Sequence, residues 1–154
     1  VMHAFYLRSC YLKNQLAKGV MEIAGETLNM KSVDQDLYFL AAEQDHIAPW
    51  RQTFKTLNHV SGPKRYVLSS SGHILGIVNP PVKPPKRSYR VGPARRTDKA
   101  EDWHAAHEAQ PGSWWDDWMA WLKPQSGELV AARPVANDAF PALADAPGVY
   151  VKET

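Results

Sequence analysis

The spacing of hydrophobic residues changes twice in the first third of the chain. Residues 3–18 place apolar side chains at helical intervals, and Gly19 follows as the expected C-cap. Residues 20–30 alternate loosely around Gly25, which predicts a small β-hairpin. Residues 36–42 (DLYFLAA) form a nearly continuous apolar run. That pattern is typical of a strand buried on both faces of a parallel sheet.

A second helical pattern and a second apolar strand follow. Trp50, Phe54 and Leu57 recur at helical spacing, and the helix is expected to end at Ser61-Gly62-Pro63. Residues 64–69 (KRYVLS) then predict another buried strand. Strand, helix and strand in this order form a βαβ unit, so the two strands should be parallel neighbours in one sheet.

Residues 79–96 (NPPVKPPKRSYRVGPARR) carry five prolines and six basic residues without an acidic one. Proline lacks a backbone N–H, so we expect an extended surface segment there, without a helix or a regular strand ladder. Its positive charge can contact the phosphates of a ligand, although a solvated basic loop is the favoured interpretation.

A tryptophan-rich helix is predicted near residue 113. Ser113 is the expected N-cap, and Trp114, Trp118 and Trp121 line one face that should dock onto the main body of the protein. The tail from residue 128 onward is rich in Ala and Pro and is expected to wrap the surface.

Length and composition limit the class of protein. The 154 residues suit one domain, and a hydrophobic content of 44% allows a packed core. A net charge of +2 gives no support for a nucleic-acid partner, and no apolar run is long enough for a transmembrane segment. A single cysteine fits a reducing cytoplasm. We find no signal-peptide pattern, and the start at Val1 suggests a piece of something longer.

Candidate chemistry lies at the ends of the two buried strands. Asp45 follows the first strand and His73 follows the second, 28 residues later. Adjacent parallel strands lie about 4.8 Å apart, so these two side chains can meet. An aspartate bound to one imidazole nitrogen would leave the other nitrogen free to act as a base. The competing interpretation is that Asp45 merely caps a helix or forms a turn.

A nucleophile is missing from the sequence. No G-x-S-x-G or G-x-C-x-G elbow occurs, and Cys10 stands in a helical segment with no glycine beside it, which favours packing over catalysis. Ser69, Ser70 and Ser71 are interpreted as turn residues. No metal site is expected either. His104 and His107 would make only a weak zinc pair without an evident third ligand.

Five blocks, in order along nearly the whole chain, resemble the C-terminal part of class I polyhydroxyalkanoate synthases: FYLRSCYLKNQL, EQDHIAPW, SSSGHILGIVNPP, PGSWWDDWMAWL and APGVYVK. The resemblance implies an α/β fold, specifically the C-terminal portion of an α/β-hydrolase fold. Residues 1–154 would be part of one catalytic domain, with a helix and hairpin (1–35) and a strand-helix-strand unit carrying the acid and the histidine (36–81). A basic segment, the tryptophan-rich helix and the wrapping tail would complete it (82–154).

The same resemblance implies an acyltransferase. Such enzymes polymerise (R)-3-hydroxyacyl-CoA, here 3-hydroxybutyryl-CoA, into polyester and release coenzyme A without a cofactor. Asp45 matches the catalytic aspartate and His73 the catalytic histidine, whereas the family's nucleophilic cysteine lies upstream of these blocks. This chain alone should therefore be inactive. Asp45 would either orient His73 or activate the substrate 3-hydroxyl. His46 and Trp50 would pack behind the pair.

The resemblance also implies a cytoplasmic enzyme at the surface of polyester granules, which contacts the growing polyester chain and forms a homodimer at full length. Two alternatives stay open. A thioesterase or depolymerase would use the same acid and histidine but leaves the tryptophan block unexplained. A non-enzymatic interaction module would instead use the tryptophan face.

Overall fold

The computed structural model describes residues 1–153. They divide into two compact units, Val1–Leu122 and a second unit that begins at Lys123. The first unit has mixed α/β content, with a two-stranded hairpin and a four-stranded mixed sheet in the order β3-β4-β5-β6. Its strands are β1 (Met21–Ile23), β2 (Glu26–Leu28), β3 (Leu37–Ala42), β4 (Lys64–Ser69), β5 (Ser88–Pro93) and β6 (Gln110–Pro111). Its α-helices are α1 (Met2–Tyr6), α2 (Gln15–Lys18), α3 (Trp50–Phe54), α4 (Leu75–Val78), α5 (Ala100–Ala106) and α6 (Trp115–Leu122).

The predicted helix over residues 3–18 is interrupted. Helix α1 continues as a π-helix over Leu7–Leu12, and Asn14 then adopts a left-handed conformation with φ of 48° before α2 begins. Asparagine tolerates this conformation better than most residues, so the chain can turn there without a glycine. The predicted C-cap is confirmed, because Gly19 ends α2 with φ of 68°.

The predicted hairpin is confirmed. Strands β1 and β2 pair antiparallel, with Met21 opposite Leu28. The two turn residues, Ala24 and Gly25, have φ of 53° and 85°. Positive φ at both central residues matches the right-handed twist of hairpin strands, which is why a glycine is useful at this turn.

The predicted βαβ unit is also confirmed. Strands β3 and β4 are parallel neighbours, with Leu37 opposite Lys64 and Ala42 opposite Ser69. Helix α3 connects them and is extended by a 3₁₀ turn over Lys55–Asn58. The strands are not buried evenly on both faces, because most of β3 is only half-buried whereas the last four residues of β4 are buried.

One face of the sheet carries the hydrophobic core. Tyr66 of β4 packs edge-on against Phe54 of α3 and Trp103 of α5, with ring centroids 4.7 and 5.0 Å away. Helix α5 is absent from the sequence predictions, and Trp103 is only 3% exposed. Burial of such a ring contributes roughly 2–3 kcal/mol, so α5 belongs to the core. The cluster consists of Ala41, Trp50, Phe54, Leu57, Tyr66, Leu68, Ala94 and Trp103.

The opposite face of the sheet is covered by α6. The ring of Tyr38 lies 6.4 Å from Trp114 and 5.2 Å from Trp121. Asp117 accepts hydrogen bonds from the Tyr38 hydroxyl (2.9 Å) and from Nε of Arg65 (2.8 Å). The tryptophan face therefore docks onto the sheet as predicted, and helices cover both faces.

The expectation that residues 79–96 form no strand ladder is wrong. Strand β5 lies within this segment and pairs antiparallel with β4, with Val67 opposite Val91. The prolines do not prevent this pairing because residues 86–92 contain none, and Pro93 is the last residue of the strand. Tyr89 is 9% exposed, so part of the basic segment belongs to the sheet.

The second unit contains little regular structure among its described residues. It has 3₁₀ turns over Lys123–Gln125 and Tyr150–Lys152 and an antiparallel bridge between Asn137 and Phe140. The expected wrapping of this tail stays a prediction. Across residues 1–153, no helix combines the length and the apolar character needed to cross a membrane.

Candidate functional site

Asp45 sits in a tight turn just beyond the end of β3. Its Oδ1 accepts hydrogen bonds from the backbone N–H groups of Ile47 and Ala48, both at 2.8 Å. This is the geometry of an aspartate turn, in which the side chain stands in for a backbone acceptor. The side chain is only 5% exposed. The residue therefore forms a turn, as the competing interpretation held, and its second oxygen, Oδ2, contacts His73.

The pKa of Asp45 lies below its ordinary value of 3.8. The main cause is the hydrogen bond from the Ala48 amide, and the contact with His73 and the Ile47 amide act in the same direction. Burial opposes this shift by disfavouring the charged form. The carboxylate is consequently ionised at neutral pH and can only accept hydrogen bonds.

His73 follows β4 on a short loop. Its Nδ1 lies 2.8 Å from Oδ2 of Asp45. Because an ionised carboxylate only accepts, Nδ1 must carry the hydrogen, and in the neutral ring Nε2 holds the free lone pair. The side chain is 41% exposed, so the ring is accessible from outside this chain. A histidine with this tautomer and this exposure can take a proton from an incoming group.

Backbone hydrogen bonds join the two loops. The N–H of Glu43 donates to the Ser69 carbonyl (2.8 Å), and the N–H of Gln44 donates to the Ser71 carbonyl (3.0 Å). These bonds continue the parallel β3–β4 ladder past the strand ends. The Asp45 and His73 side chains meet because each follows directly on this extension, at the carboxyl edge of the sheet.

Gly76 brings α4 close to the end of β3. A Cβ atom at position 76 would lie 2.5 Å from the Cβ of Ala42, a contact that side chains do not tolerate. The N–H of Gly76 also donates to the Gly72 carbonyl at 2.8 Å, which shapes the turn that carries His73. A small residue is thus required for the histidine loop to reach the aspartate loop.

The weaker sequence candidates lie elsewhere or are engaged otherwise. Cys10 is half-buried in the π-helix. His104 contacts Glu43 through Nε2 (2.9 Å), and Nδ1 of His107 donates to the Trp103 carbonyl (2.7 Å). In the described part of the chain, no group of three or more His, Cys, Asp or Glu side chains is arranged to hold a metal ion.

The two residues expected to pack behind the pair behave differently. Trp50 is 3% exposed and belongs to the core, whereas His46 is exposed. Sequence reasoning missed Asn79, which is 3% exposed and donates to Oγ of Ser69 at 3.2 Å. Its position at the end of the histidine block, directly before two prolines, is the only signal in the sequence.

Fold and site together define an α/β protein with an acid–histidine pair at the carboxyl edge of its sheet. No protein-family model matches the chain. It is similar to the poly(3-hydroxyalkanoate) polymerase of Methylorubrum extorquens, with 46% identity over 151 residues, 97% of this chain and 25% of that protein. The polymerase subunit PhaC of Rhizobium etli is 42% identical over 98% of this chain and 23% of its own length. The polymerase subunit PhaC of Cupriavidus necator is 37% identical over 97% of this chain and 26% of its own length.

This chain is therefore a homologue of poly(3-hydroxyalkanoate) polymerases, which confirms the resemblance found in its motifs. It spans about a quarter of the length of these relatives.

Proposed function

We propose that this chain is the C-terminal part of the catalytic domain of a poly(3-hydroxyalkanoate) polymerase with an α/β-hydrolase fold. In this proposal His73 is the catalytic base and Asp45 holds it in place. One observation carries the proposal: the 2.8 Å contact between Nδ1 of His73 and Oδ2 of Asp45, in a chain 37–46% identical to such polymerases.

The reaction begins with proton removal. Nε2 of His73 takes the proton of a cysteine thiol that belongs to another part of the polymerase, because this chain contains no nucleophile elbow. The thiolate attacks the carbonyl carbon of (R)-3-hydroxyacyl-CoA, and the bond to the CoA sulfur breaks. The proton held by His73 passes to the departing CoA thiolate, and the acyl group stays on the cysteine for transfer to the growing polyester.

The geometry favours an orienting role for Asp45. Oδ1 accepts from two backbone amides and Oδ2 contacts His73, so both oxygens of a nearly buried carboxylate are engaged. An aspartate that activated the substrate 3-hydroxyl would need an oxygen open to the substrate. Asp45 instead fixes the His73 tautomer and stabilises the imidazolium that forms during catalysis.

The remaining expectations belong to the same proposal. The full-length polymerase would act as a homodimer in the cytoplasm, at the surface of polyester granules, on short-chain substrates such as 3-hydroxybutyryl-CoA and without a cofactor. Residues 1–154 alone would be inactive for lack of the cysteine.

A graft tests the proposal. Residues 1–154 replace the matching quarter of the Methylorubrum extorquens polymerase, and CoA release from 3-hydroxybutyryl-CoA is followed with a thiol reagent. The graft should be active, and His73→Ala should lower kcat by about 10³-fold or more. His59→Ala, a partly exposed histidine outside the pair, serves as the matched control and should leave kcat unchanged.

Three results would contradict the proposal. They are an inactive but folded graft, a His73→Ala graft with full activity, and CoA release by the isolated 154-residue chain that His73→Ala abolishes. Release of free 3-hydroxybutyrate in place of polymer would favour the thioesterase alternative.

A further inference from the structure

His73 depends for its direction on the loop that carries it as well as on its contact with Asp45. Its loop begins after Ser69, the last residue of β4, and ends at Asn79, directly after α4. The imidazole is 41% exposed, so the surrounding side chains enclose it only in part. Asp45 holds the ring at Nδ1, and the contacts that fix the two ends of this loop help to set where Nε2 faces.

Asn79 joins those two ends. Its side-chain amide donates to Oγ of Ser69, ten residues earlier, at 3.2 Å, and both residues are buried. The same amide nitrogen donates to the carbonyl oxygen of Gly112 at 3.3 Å. Asn79 has φ of 24°, a conformation that asparagine and glycine adopt more readily than other residues. A single buried amide thus closes the loop that carries His73 and ties it to a distant segment.

Two indoles hold the same end of the loop. Nε1 of Trp114 donates to the carbonyl of Ile77, and Nε1 of Trp115 donates to the carbonyl of Val78, both at 2.9 Å. Carbonyls at the C-terminal end of a helix lack partners inside the helix, so these donors supply bonds that α4 cannot make itself. Residues 112–115 consequently contact each of residues 77, 78 and 79 through a hydrogen bond.

We infer that Asn79, supported by the indoles of Trp114 and Trp115, is a positioning residue that aims His73 at the reacting thiol. The inference rests on the proposed function for His73. Asn79 acts through the loop, because its amide bonds to Ser69 and Gly112 and not to the imidazole. It also gives the PGSWW block a role in the reaction beyond docking α6 onto the sheet.

Asn79→Gly is the central variant. Glycine adopts the positive φ of this position without strain, so the substitution removes the amide and keeps the backbone conformation accessible. Asn58→Gly, at an exposed asparagine outside this region, is the matched control. In the active graft, Asn79→Gly should lower kcat about 10-fold to 100-fold with KM nearly unchanged, because a misdirected base affects the chemical step and not substrate binding.

A second measurement reports on the imidazole without any catalysis. In the 154-residue chain labelled with ¹⁵N at histidine, the neutral His73 ring should carry its hydrogen on Nδ1. Asn79→Gly should lower the share of that tautomer, and Asn58→Gly should not. This readout separates the two ideas. An inactive graft refutes the proposed function, whereas an unchanged His73 spectrum in a folded Asn79→Gly chain refutes the positioning role.

A fallback variant covers a loss of folding. If circular dichroism shows Asn79→Gly to be unfolded, Trp115→Phe is used. It keeps an aromatic ring at an exposed position and removes the N–H donated to the Val78 carbonyl. A reduced Nδ1–H tautomer in Trp115→Phe supports the inference, and an unchanged one overturns it.

Discussion

Asp117 ties α6 to strands β3 and β4, and its removal should lower the free energy of unfolding substantially. Its carboxylate accepts from the Tyr38 hydroxyl on β3 and forms a forked pair with Arg65 on β4, through Nε at 2.8 Å and through Nη2. The Asp117 side chain is 12% exposed and that of Arg65 is 36% exposed. Asp117→Ala therefore leaves one half-buried hydroxyl and one partly solvated guanidinium without this partner.

The expected magnitude follows from the exposure of the two partners. Hydrogen bonds to charged groups contribute about 1.5–3 kcal/mol when shielded, and the Tyr38 bond belongs at the lower end of that range. The Arg65 guanidinium is partly solvated, so its salt bridge with Asp117 contributes closer to 1 kcal/mol. Together the loss is about 2–3 kcal/mol in the free energy of unfolding, or roughly 30-fold to 150-fold in the folding equilibrium.

Urea unfolding of the 154-residue chain, followed by tryptophan fluorescence, measures this loss. Asp116→Ala is the matched control, because Asp116 is exposed in the same first turn of α6 and should cost only about 0.3–1 kcal/mol through the helix dipole. The pKa of Tyr38, which is raised mainly by burial and next by Asp117, should also fall in Asp117→Ala. Equal unfolding free energies for the two variants, with equal m-values, would refute this account of how α6 is held.

Three further outcomes are expected from the structure. The pKa of Asp45 is lower in the folded chain than its unfolded value of 3.8, so the ionised carboxylate stabilises the fold above pH 3.8. This stabilisation is lost as the pH falls through the folded pKa, and the unfolding free energies of the parent chain and Asp45→Asn should therefore converge in acid. Gly76→Ala should lower the free energy of unfolding, measured in urea, by about 1–3 kcal/mol, and adding Ala42→Gly should recover part of that loss. Gly127 lies in open space, so Gly127→Ala should leave the free energy of unfolding almost unchanged. Burial raises the pKa of Tyr66 from 10 to about 12. The free energy of unfolding should therefore fall between pH 10 and 12, and this fall should be smaller in Tyr66→Phe, which has no hydroxyl to ionise.

Local patterns were sufficient for the hairpin and the βαβ unit. Alternation around a glycine turn and two apolar runs on either side of a helical pattern are signals within 10–30 residues, and the strand pairs followed from them. The proline-rich segment misled the prediction because proline density was averaged over residues 79–96. The proline-free stretch at residues 86–92 was the relevant unit, and its pairing with β4 is a contact distant in sequence.

The N-terminal helix and α5 show two other limits. Nothing in the apolar spacing of residues 3–18 indicates that Asn14 turns left-handed. Helix α5 has seven residues and a single buried side chain, Trp103, so it carries too little periodicity to be recognised. Tertiary packing of that one ring against Tyr66, and not helical propensity, accounts for its place in the core.

For the candidate site, the sequence identified the two side chains but not what holds them. Asp45 and His73 follow from their positions after parallel strands, and the structure brings their side chains to 2.8 Å. The hydrogen bonds of Asn79 to Gly112 and of Trp114 to Ile77 span 33 and 37 residues. The hydrophobic patterns of the two segments do not indicate that they meet. Such contacts are visible only once the chain is folded.

The position of β3 at the rim of the sheet has a practical consequence. Within residues 1–153 its hydrogen-bonded neighbour is β4, on one side only, so its other side presents free backbone donors and acceptors. Its six residues, LYFLAA, include no lysine, glutamate or proline of the kind that protects natural sheet rims. Purified alone at high concentration, the chain should accordingly self-associate rim to rim, and solubility screens should begin with a charged residue introduced into this strand.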